Sequence, residues 1–382
     1  MTVPSYYPWP FSRGDNTFRY SVNVSRAREL AHTAVGSWGR YVVEVENDHD
    51  YISACRARSR ILYEDPRRLQ VRDHMRPACW DTVMFYLREL CDARPDVMSL
   101  RTDGDHHVWT NGLLEQEVRF RYGDDDTVPM GPLGFIGSQV PEDLLLLSER
   151  DGQLWFDAGI VTFAGSWSFD FDLGMSFHQI HSPIPRFTGE GHTGAAERFM
   201  MSLTPDNIYR RTNWTFSSTG TPRLDTSLEA MPSWGWEMPA LIAAQDWGRI
   251  QLRIETEHFI RLPASGGLVF SIRTTMLSLA DIATVPEWSR QLIDIVTELP
   301  DDMAEYKGMT DYRAPAMAWL AQAAGINSPA AEHYSTCRDC RHPGRMPAAS
   351  TPSCAATIRA SRSTTSTPSA PRSMMPAAYA RS

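Results

Sequence analysis

The sequence has almost no lysine. Lys307 is the only one among 37 basic residues, and the rest are arginine. Arginine's planar fork suits bidentate contacts with carboxylates and phosphates, but a coding-sequence bias accounts for the excess equally well, so each arginine is weighed singly. A basic surplus is also missing. The formal charge of −9 argues against a broad phosphate-binding surface and so against a nucleic-acid partner. No apolar run approaches the ~20 residues a membrane helix needs. Residues 1–10 lack the basic-then-apolar pattern of a secretory leader, so a cytoplasmic chain without membrane association is expected. Six cysteines, at 55, 79, 91, 337, 340 and 354, make no disulfide framework in a chain this long and fit a reducing compartment. There is no glycine-rich phosphate loop, no Gly-x-Ser-x-Gly elbow, no Rossmann fingerprint and no internal repeat. Nothing therefore points to a nucleotide bound in the usual folds.

What is present is material for a large core: 382 residues, 42% apolar and 10% aromatic. Residues 1–45 are aromatic and polar without a sustained period (Tyr6, Tyr7, Trp9, Phe11, Phe18, Tyr20) and read as an arm packed on the body. Helical spacing follows over 51–64 and 77–93. In the second stretch Trp80, Val83, Met84, Leu87, Leu90 and Cys91 share one face, and Pro77 suits a first turn. Strands are expected at 143–147 and 154–162 around an Asp151-Gly152 turn, then a helix over 195–203 and a strand over 208–216. Alternation puts Ile250, Leu252, Ile254, Ile260 and Leu262 on one face of a strand and Arg253, Glu255, Glu257 and Arg261 on the other. A turn at 263–267 returns the chain along 268–275 as a long antiparallel hairpin, and helices over 288–299 and 314–324 close the domain. Past Glu332, Ser, Thr, Pro, Ala and Arg dominate. The expected organisation is an arm (1–45), one α+β domain (46–330) with an antiparallel sheet flanked by helices, and a disordered low-complexity tail (331–382).

Three places could hold chemistry. His178 and His181 stand three apart before Pro183 and Pro185, and Pro183 pushes Ser182 towards extended backbone. A stiffened bend holding an imidazole suits an axial metal ligand. A hydrogen-bonded loop histidine has the same spacing, and no third zinc ligand stands at a recognisable distance. On a strand, Arg211 and Asn213 point one way and Trp214 the other, as in a pocket wall or a solvated face. The hairpin's polar residues Arg253, Glu255, Glu257, Arg261 and Arg273 are either surface ion pairs of little worth or an anion clamp. Two weaker signals are Cys337-Arg-Asp-Cys340 with His342, half a zinc knuckle, and His106-His107, expected exposed in a polar turn.

In their order, several segments resemble the heme-dependent oxidative N-demethylase-like family. They are Gly137-Ser-Gln-Val-Pro-Glu-Asp-Leu-Leu-Leu-Leu147, Ala158-Gly159 through Trp167, Ile180-His-Ser-Pro-Ile-Pro185, Arg211-Thr-Asn-Trp214, Leu252-Arg-Ile-Glu255, Arg261-Leu-Pro-Ala-Ser-Gly266 and Phe270-Ser-Ile-Arg-Thr274, with Tyr306-Lys-Gly308 and Trp319-Leu320 at the end. The resemblance covers roughly residues 46–325. It implies a PAS-like fold holding heme b, and demethylation of a small secondary amine with O2 and electrons from NADPH, the heme subunit working beside redox partner subunits. The family's Ile-His-x-Pro histidine falls on His181, which it makes the axial ligand. Arg211 and Asn213 fall on its Arg-x-Asn-Trp motif and would face cofactor or substrate as catalytic groups. Arg253, Arg261 and Arg273 are carried over as heme-binding, through propionate or structural contacts. One protein ligand leaves the other iron face to O2. The chain departs from the family pattern at Thr162-Phe-Ala-Gly-Ser166, at Asp172 and at Thr256-Glu257, which leaves the substrate open. Oxidation of a larger natural product and a non-enzymatic PAS-like heme sensor are the competing uses of such a scaffold.

Overall fold

The structure, a computed structural model, describes residue 3 and residues 6–19, 23–187, 189 and 191–326 of the 382. The expected tail at 331–382, with its cysteine pair and His342, lies outside these residues.

The arm carries three two-residue strands, β1 (Ser25–Arg26), β2 (Ala31–His32) and β3 (Ser37–Trp38). Helix α1 (Asp48–Glu64) starts on Asn47, whose side chain accepts the Asp50 N–H and so satisfies an otherwise orphaned donor. After β4 (Leu69–Val71), α2 (Arg76–Ala93) opens with Pro77 in its first turn. Strands β5 (Met98–Asp103), β6 (His106–Asn111) and β7 (Gln116–Phe120) form a separate antiparallel sheet. Helix α3 (Gly131–Gln139) leads to β8 (Asp143–Arg150) and β9 (Gln153–Ile160). Helices α4 (Phe169–Asp172), α5 (Phe177–His181) and α6 (His192–Met201) precede β10 (Tyr209–Phe216). Helix α7 (Glu237–Ala244) precedes the hairpin of β11 (Gln251–Arg261) and β12 (Leu268–Ser278). The chain then forms α8 (Leu279–Ile282), α9 (Pro286–Glu298), α10 (Asp301–Tyr306) and α11 (Arg313–Ala323).

Seven strands make one antiparallel sheet in the order β1-β10-β11-β12-β8-β9-β4. The fold is thus α+β, with helices on both faces of a large antiparallel sheet. Leu144, Leu146, Ile260 and Val269 pack under α1–α3, and Leu252, Ile254 and Leu277 pack under α9 and α11. The other face buries Leu145, Leu147, Phe259, Leu268 and Ile272 against Phe177 and Met200. Strand β9 serves both faces. Leu147 stands opposite Phe156 but Leu146 stands opposite Ala158. Asp157 is therefore an extra, bulged residue, and a one-residue insertion flips side-chain parity. Leu154 and Phe156 join one core, Ala158 and Ile160 the other.

Two buried arginines tie the layers. Arg58 on α1 donates to Thr162 Oγ1 (2.9 Å), to the carbonyls of Gly137 (2.9 Å) and Val140 (2.5 Å), and to Asp143 Oδ1 (2.7 Å). Arg210 on β10 holds the arm through the carbonyls of Ala27 (3.1 Å), Glu29 (2.6 Å) and Gly39 (2.9 Å). Gly39 has φ +87°, and a Cβ there would lie 1.7 Å from the Arg210 guanidinium. Trp9 of the arm stacks on Trp288 of α9 at 4.6 Å, and its Nε1 donates to Gln291 (2.8 Å).

Three expectations are corrected. His106 and His107 are half-buried and begin β6; the turn is at Asp103–Asp105. Ser182 is not extended but αR (φ −59°, ψ −31°), because its N–H closes the end of α5 on the Gln179 carbonyl. Arg273 does not share the polar face of the hairpin. It pairs across the ladder with Thr256, and paired residues point to the same side. Arg273 therefore faces away from Arg253, Glu255, Glu257 and Arg261. Cys55, Cys79 and Cys91 are free thiols. Among the described residues no helix is long and apolar enough to cross a membrane.

Candidate functional site

The histidine segment is helical. Ser176 and Gln179 form a reciprocal capping box at the start of α5, which fixes a single turn without length to support it. His181 ends that turn, and its ring Nδ1 lies 2.8 Å from the Phe177 carbonyl. A carbonyl only accepts, so Nδ1 carries the proton and Nε2 keeps its lone pair. Nε2 makes no hydrogen bond among the described residues. The ring is flanked by Phe177 at 4.0 Å and Phe187 at 5.6 Å. Burial depresses its pKa to about 4, with Arg211 and His178 adding to the shift against the Phe177 bond, so the imidazole is neutral at pH 7. His178 is differently placed. Its Nε2 contacts Glu197 Oε2 (2.8 Å), and the other Glu197 oxygen accepts the Leu154 N–H (2.8 Å). The pair staples α5 to α6 and β9.

Facing this segment is the sheet side carrying Arg211 and Asn213 of β10 and Arg253, Glu255 and Glu257 of β11. The ladder sets Arg211 opposite Glu257 and Asn213 opposite Glu255. Arg211 Nη1 meets Glu257 Oε2 at 2.9 Å, and its buried Nε has no partner. Asn213 Nδ2 donates to Glu255 (3.1 Å), as does Arg253 Nε (2.8 Å). Burial pushes Glu255 up, but the charge and hydrogen bond of Arg253, with Asn213 and Lys307, outweigh it and hold Glu255 below the usual range. Glu257 goes the other way. Burial and the charge of Glu255 push it up to about 7 against Arg211 and Lys307. Two carboxylates on one strand face are thus split into a permanent anion and a group that titrates near neutrality.

Lys307, just past α10, crosses the edge of β10. Its Nζ donates to the Trp214 carbonyl (2.6 Å) and lies 4.9 Å from the Trp214 ring centre. Burial, with Arg211, lowers its pKa to about 8 against Glu255 and Glu257. His181, Glu255 and Lys307 are each half-buried, and the charge of Arg211 reaches both His181 and Lys307. Three cations (Arg211, Arg253, Lys307) face two carboxylates, one only part-ionised, so the cluster has a positive surplus.

The structure brings His181, Arg211, Asn213 and Arg253 into this cluster and separates the other two arginines from it. Nearly all of Arg253's donors are spent inside the protein, on Glu255, on the carbonyls of Leu224 (2.8 Å) and Phe163, and on Thr274 Oγ1 (2.9 Å). Arg261 grips the carbonyls of Met201 (2.7 Å), Leu203 (3.3 Å) and Gly266 (2.8 Å), pinning the end of α6 to the hairpin. Arg273 lies behind the sheet. Sequence reasoning placed Glu257 only among the charged residues of the hairpin, with no part in proton transfer, and gave no role to Lys307 or Glu197. The first two had readable signals, the i, i+2 carboxylates and the solitary lysine.

Among the described residues no group of three or more His, Cys, Asp or Glu could hold a bare metal ion. One free imidazole nitrogen in an aromatic setting, an orphaned arginine donor and a positive surplus suit a metal that arrives with its other ligands and with acidic groups attached. The family model described as haem-dependent oxidative N-demethylase, alpha subunit-like, matches residues 42–317.

Proposed function

The chain belongs to the haem-dependent oxidative N-demethylase, alpha subunit-like, family, and on that premise we propose that it is a heme-dependent monooxygenase removing an N-methyl group from a small amine. The observation that carries the reading is His181, with Nδ1 committed to the Phe177 carbonyl and Nε2 free. That is the arrangement a histidine ligand needs, its tautomer and ring plane set before the metal arrives. His178, occupied by Glu197, does not offer it. Heme b in a PAS-like fold, as the resemblance implies, would be held by His181 with Arg211 beside it and would supply the chemistry that binds and reduces O2.

The remaining chemistry falls to the chain. The orphaned Nε of Arg211 offers an N–H to a propionate or to oxygen-derived charge. Asn213 orients Glu255 and would meet substrate. Glu257, titrating near neutrality, can give up protons. In balance, one N–CH3, one O2, two electrons and two protons give N–CH2OH and water. The N–CH2OH product then parts into the demethylated amine and formaldehyde. The two electrons come from NADPH through a redox partner subunit, for which the "alpha subunit" of the family's description is the support.

The test is an absorption spectrum of protein made with ample heme. Wild type and His178→Ala should show a Soret band, and His181→Ala should lose or shift it. With dimethylamine and a reductant, wild type should release formaldehyde. A His181→Ala spectrum identical to wild type removes the ligand assignment. A pure, folded, heme-free protein that still demethylates removes the whole reading.

A further inference from the structure

A ligand carried on five helical residues has to be aimed from outside the helix. A single turn is not stable by itself, and α5 has only the Ser176–Gln179 capping box of its own. The bond that fixes the His181 ring runs to the Phe177 carbonyl, inside the same turn. It sets the ring against the turn but leaves the turn able to rotate as a unit. The chain is tied on either side. Before α5, the Gly174 N–H donates to the Phe156 carbonyl of β9 (2.6 Å), and the Phe156 N–H donates to the Met175 carbonyl (3.0 Å). After it, Arg186 grips Asp302 of α10 through two nitrogens, at 2.8 and 2.9 Å.

Between these ties, one α5 side chain reaches another helix or strand by a hydrogen bond among the described residues. It is His178, on Glu197 of α6 at 2.8 Å. Residues three apart are neighbours on a helix face, so the angular position of His178 carries that of His181. Glu197 has only 5% exposure, and a buried carboxylate is costly unless its oxygens are satisfied. Both are. His178 meets Oε2, and the Leu154 N–H of β9 donates to Oε1 (2.8 Å). The second bond holds the carboxylate against the sheet and makes it a fixed peg. A carboxylate only accepts, so His178 donates from Nε2.

We infer that Glu197 and His178 are a positioning pair for His181: by pegging the turn they set the direction in which His181 Nε2 points. The inference rests on the reading of His181 as the heme ligand and adds to it the residues that aim that ligand. Neither member of the pair need touch heme or substrate. Partners that orient a metal-binding histidine are worth about 10–100-fold in metal affinity.

The test uses the full chain with two variants. His178→Ala leaves the Leu154–Glu197 bond in place, and His178→Gln supplies an amide that can donate to Glu197. Without heme, hydrogen exchange read by mass spectrometry follows the turn itself. Exchange over residues 178–182 should speed up by about tenfold or more in His178→Ala and return to the wild-type rate in His178→Gln. Exchange over the β11–β12 hairpin, residues 251–278, should be unchanged in both. Loaded with heme, His178→Ala should keep its Soret band but lose heme to excess apomyoglobin about tenfold faster than wild type, and His178→Gln should match wild type. Unchanged exchange or unchanged heme loss in His178→Ala overturns the inference, as does a His178→Gln variant as fast as His178→Ala. Failure of the ligand reading shows separately, as a His181→Ala spectrum identical to wild type, and takes the inference with it.

Discussion

Replacing Glu257 by glutamine should stabilise the protein at alkaline pH and leave it little changed in acid. Inside the fold the carboxyl titrates at about 7, against an ordinary value of 4.5. As pH rises between these values, the unfolded chain gives up a proton that the folded chain retains, so stability falls across this window. That gap corresponds to at most about 3.4 kcal/mol. Glutamine keeps a carbonyl for Arg211 Nη1 but cannot ionise, so this contribution to the slope disappears. Urea unfolding followed by circular dichroism at pH 5 and pH 8 gives the answer as a difference between variant and wild type. Other buried acids, such as Asp172, raised to about 7 by burial and by Glu229, titrate in both proteins and cancel. The variant should gain on wild type by about 1–3 kcal/mol at pH 8 and by under about 1 kcal/mol at pH 5. A difference that is the same at both pH values refutes the account of Glu257 as a group held protonated by burial, and its proton-donor role goes with it.

Arg58→Met should cost about 3–5 kcal/mol in urea unfolding, because it leaves Asp143 buried without its cation; a loss under about 1 kcal/mol would show that Thr162 and the Phe163 N–H suffice to hold that carboxylate. Gly39→Ala should destabilise by at least about 2 kcal/mol and loosen the arm, read as faster proteolytic cleavage within residues 6–40, since the new methyl would collide with Arg210. A wild-type cleavage pattern would mean that the arm is held by Trp9 alone.

The sheet was legible where periodicity was strict. β11 alternates closely enough, despite Phe259 on its polar face and Thr256 and His258 on its apolar one, that both of its faces could be assigned from the residues, and the apolar face of α2 was equally plain. Arg273 was misplaced because parity across a hairpin depends on register, and register is set by the turn between Arg261 and Leu268 rather than by composition. The β5–β7 sheet escaped notice because its strands carry charged and polar residues at most positions, as an exposed sheet can. The single turn of α5 is too short for periodicity to register. Its Ser176-x-x-Gln179 capping pattern was the available signal, and without the helix the bond from His181 back to Phe177 could not be foreseen. The opposed titration of Glu255 and Glu257 was invisible for a similar reason. The two residues are alike in the sequence, and only the neighbours supplied by β10 and by Lys307 separate them.

The bulge at Asp157 ties the two halves of the molecule together. Because β9 changes sides at that residue, one continuous strand anchors the layer that carries α5 and also the layer built on α1–α3. Neither layer can peel off while β9 stays in place, so the two should melt as one cooperative unit. The extra residue is itself clasped by Ser148 (2.6 Å), His74 (3.0 Å) and Arg150 (2.9 Å). Deleting it would send Ala158 and Ile160 to the wrong side and unmake both layers at once.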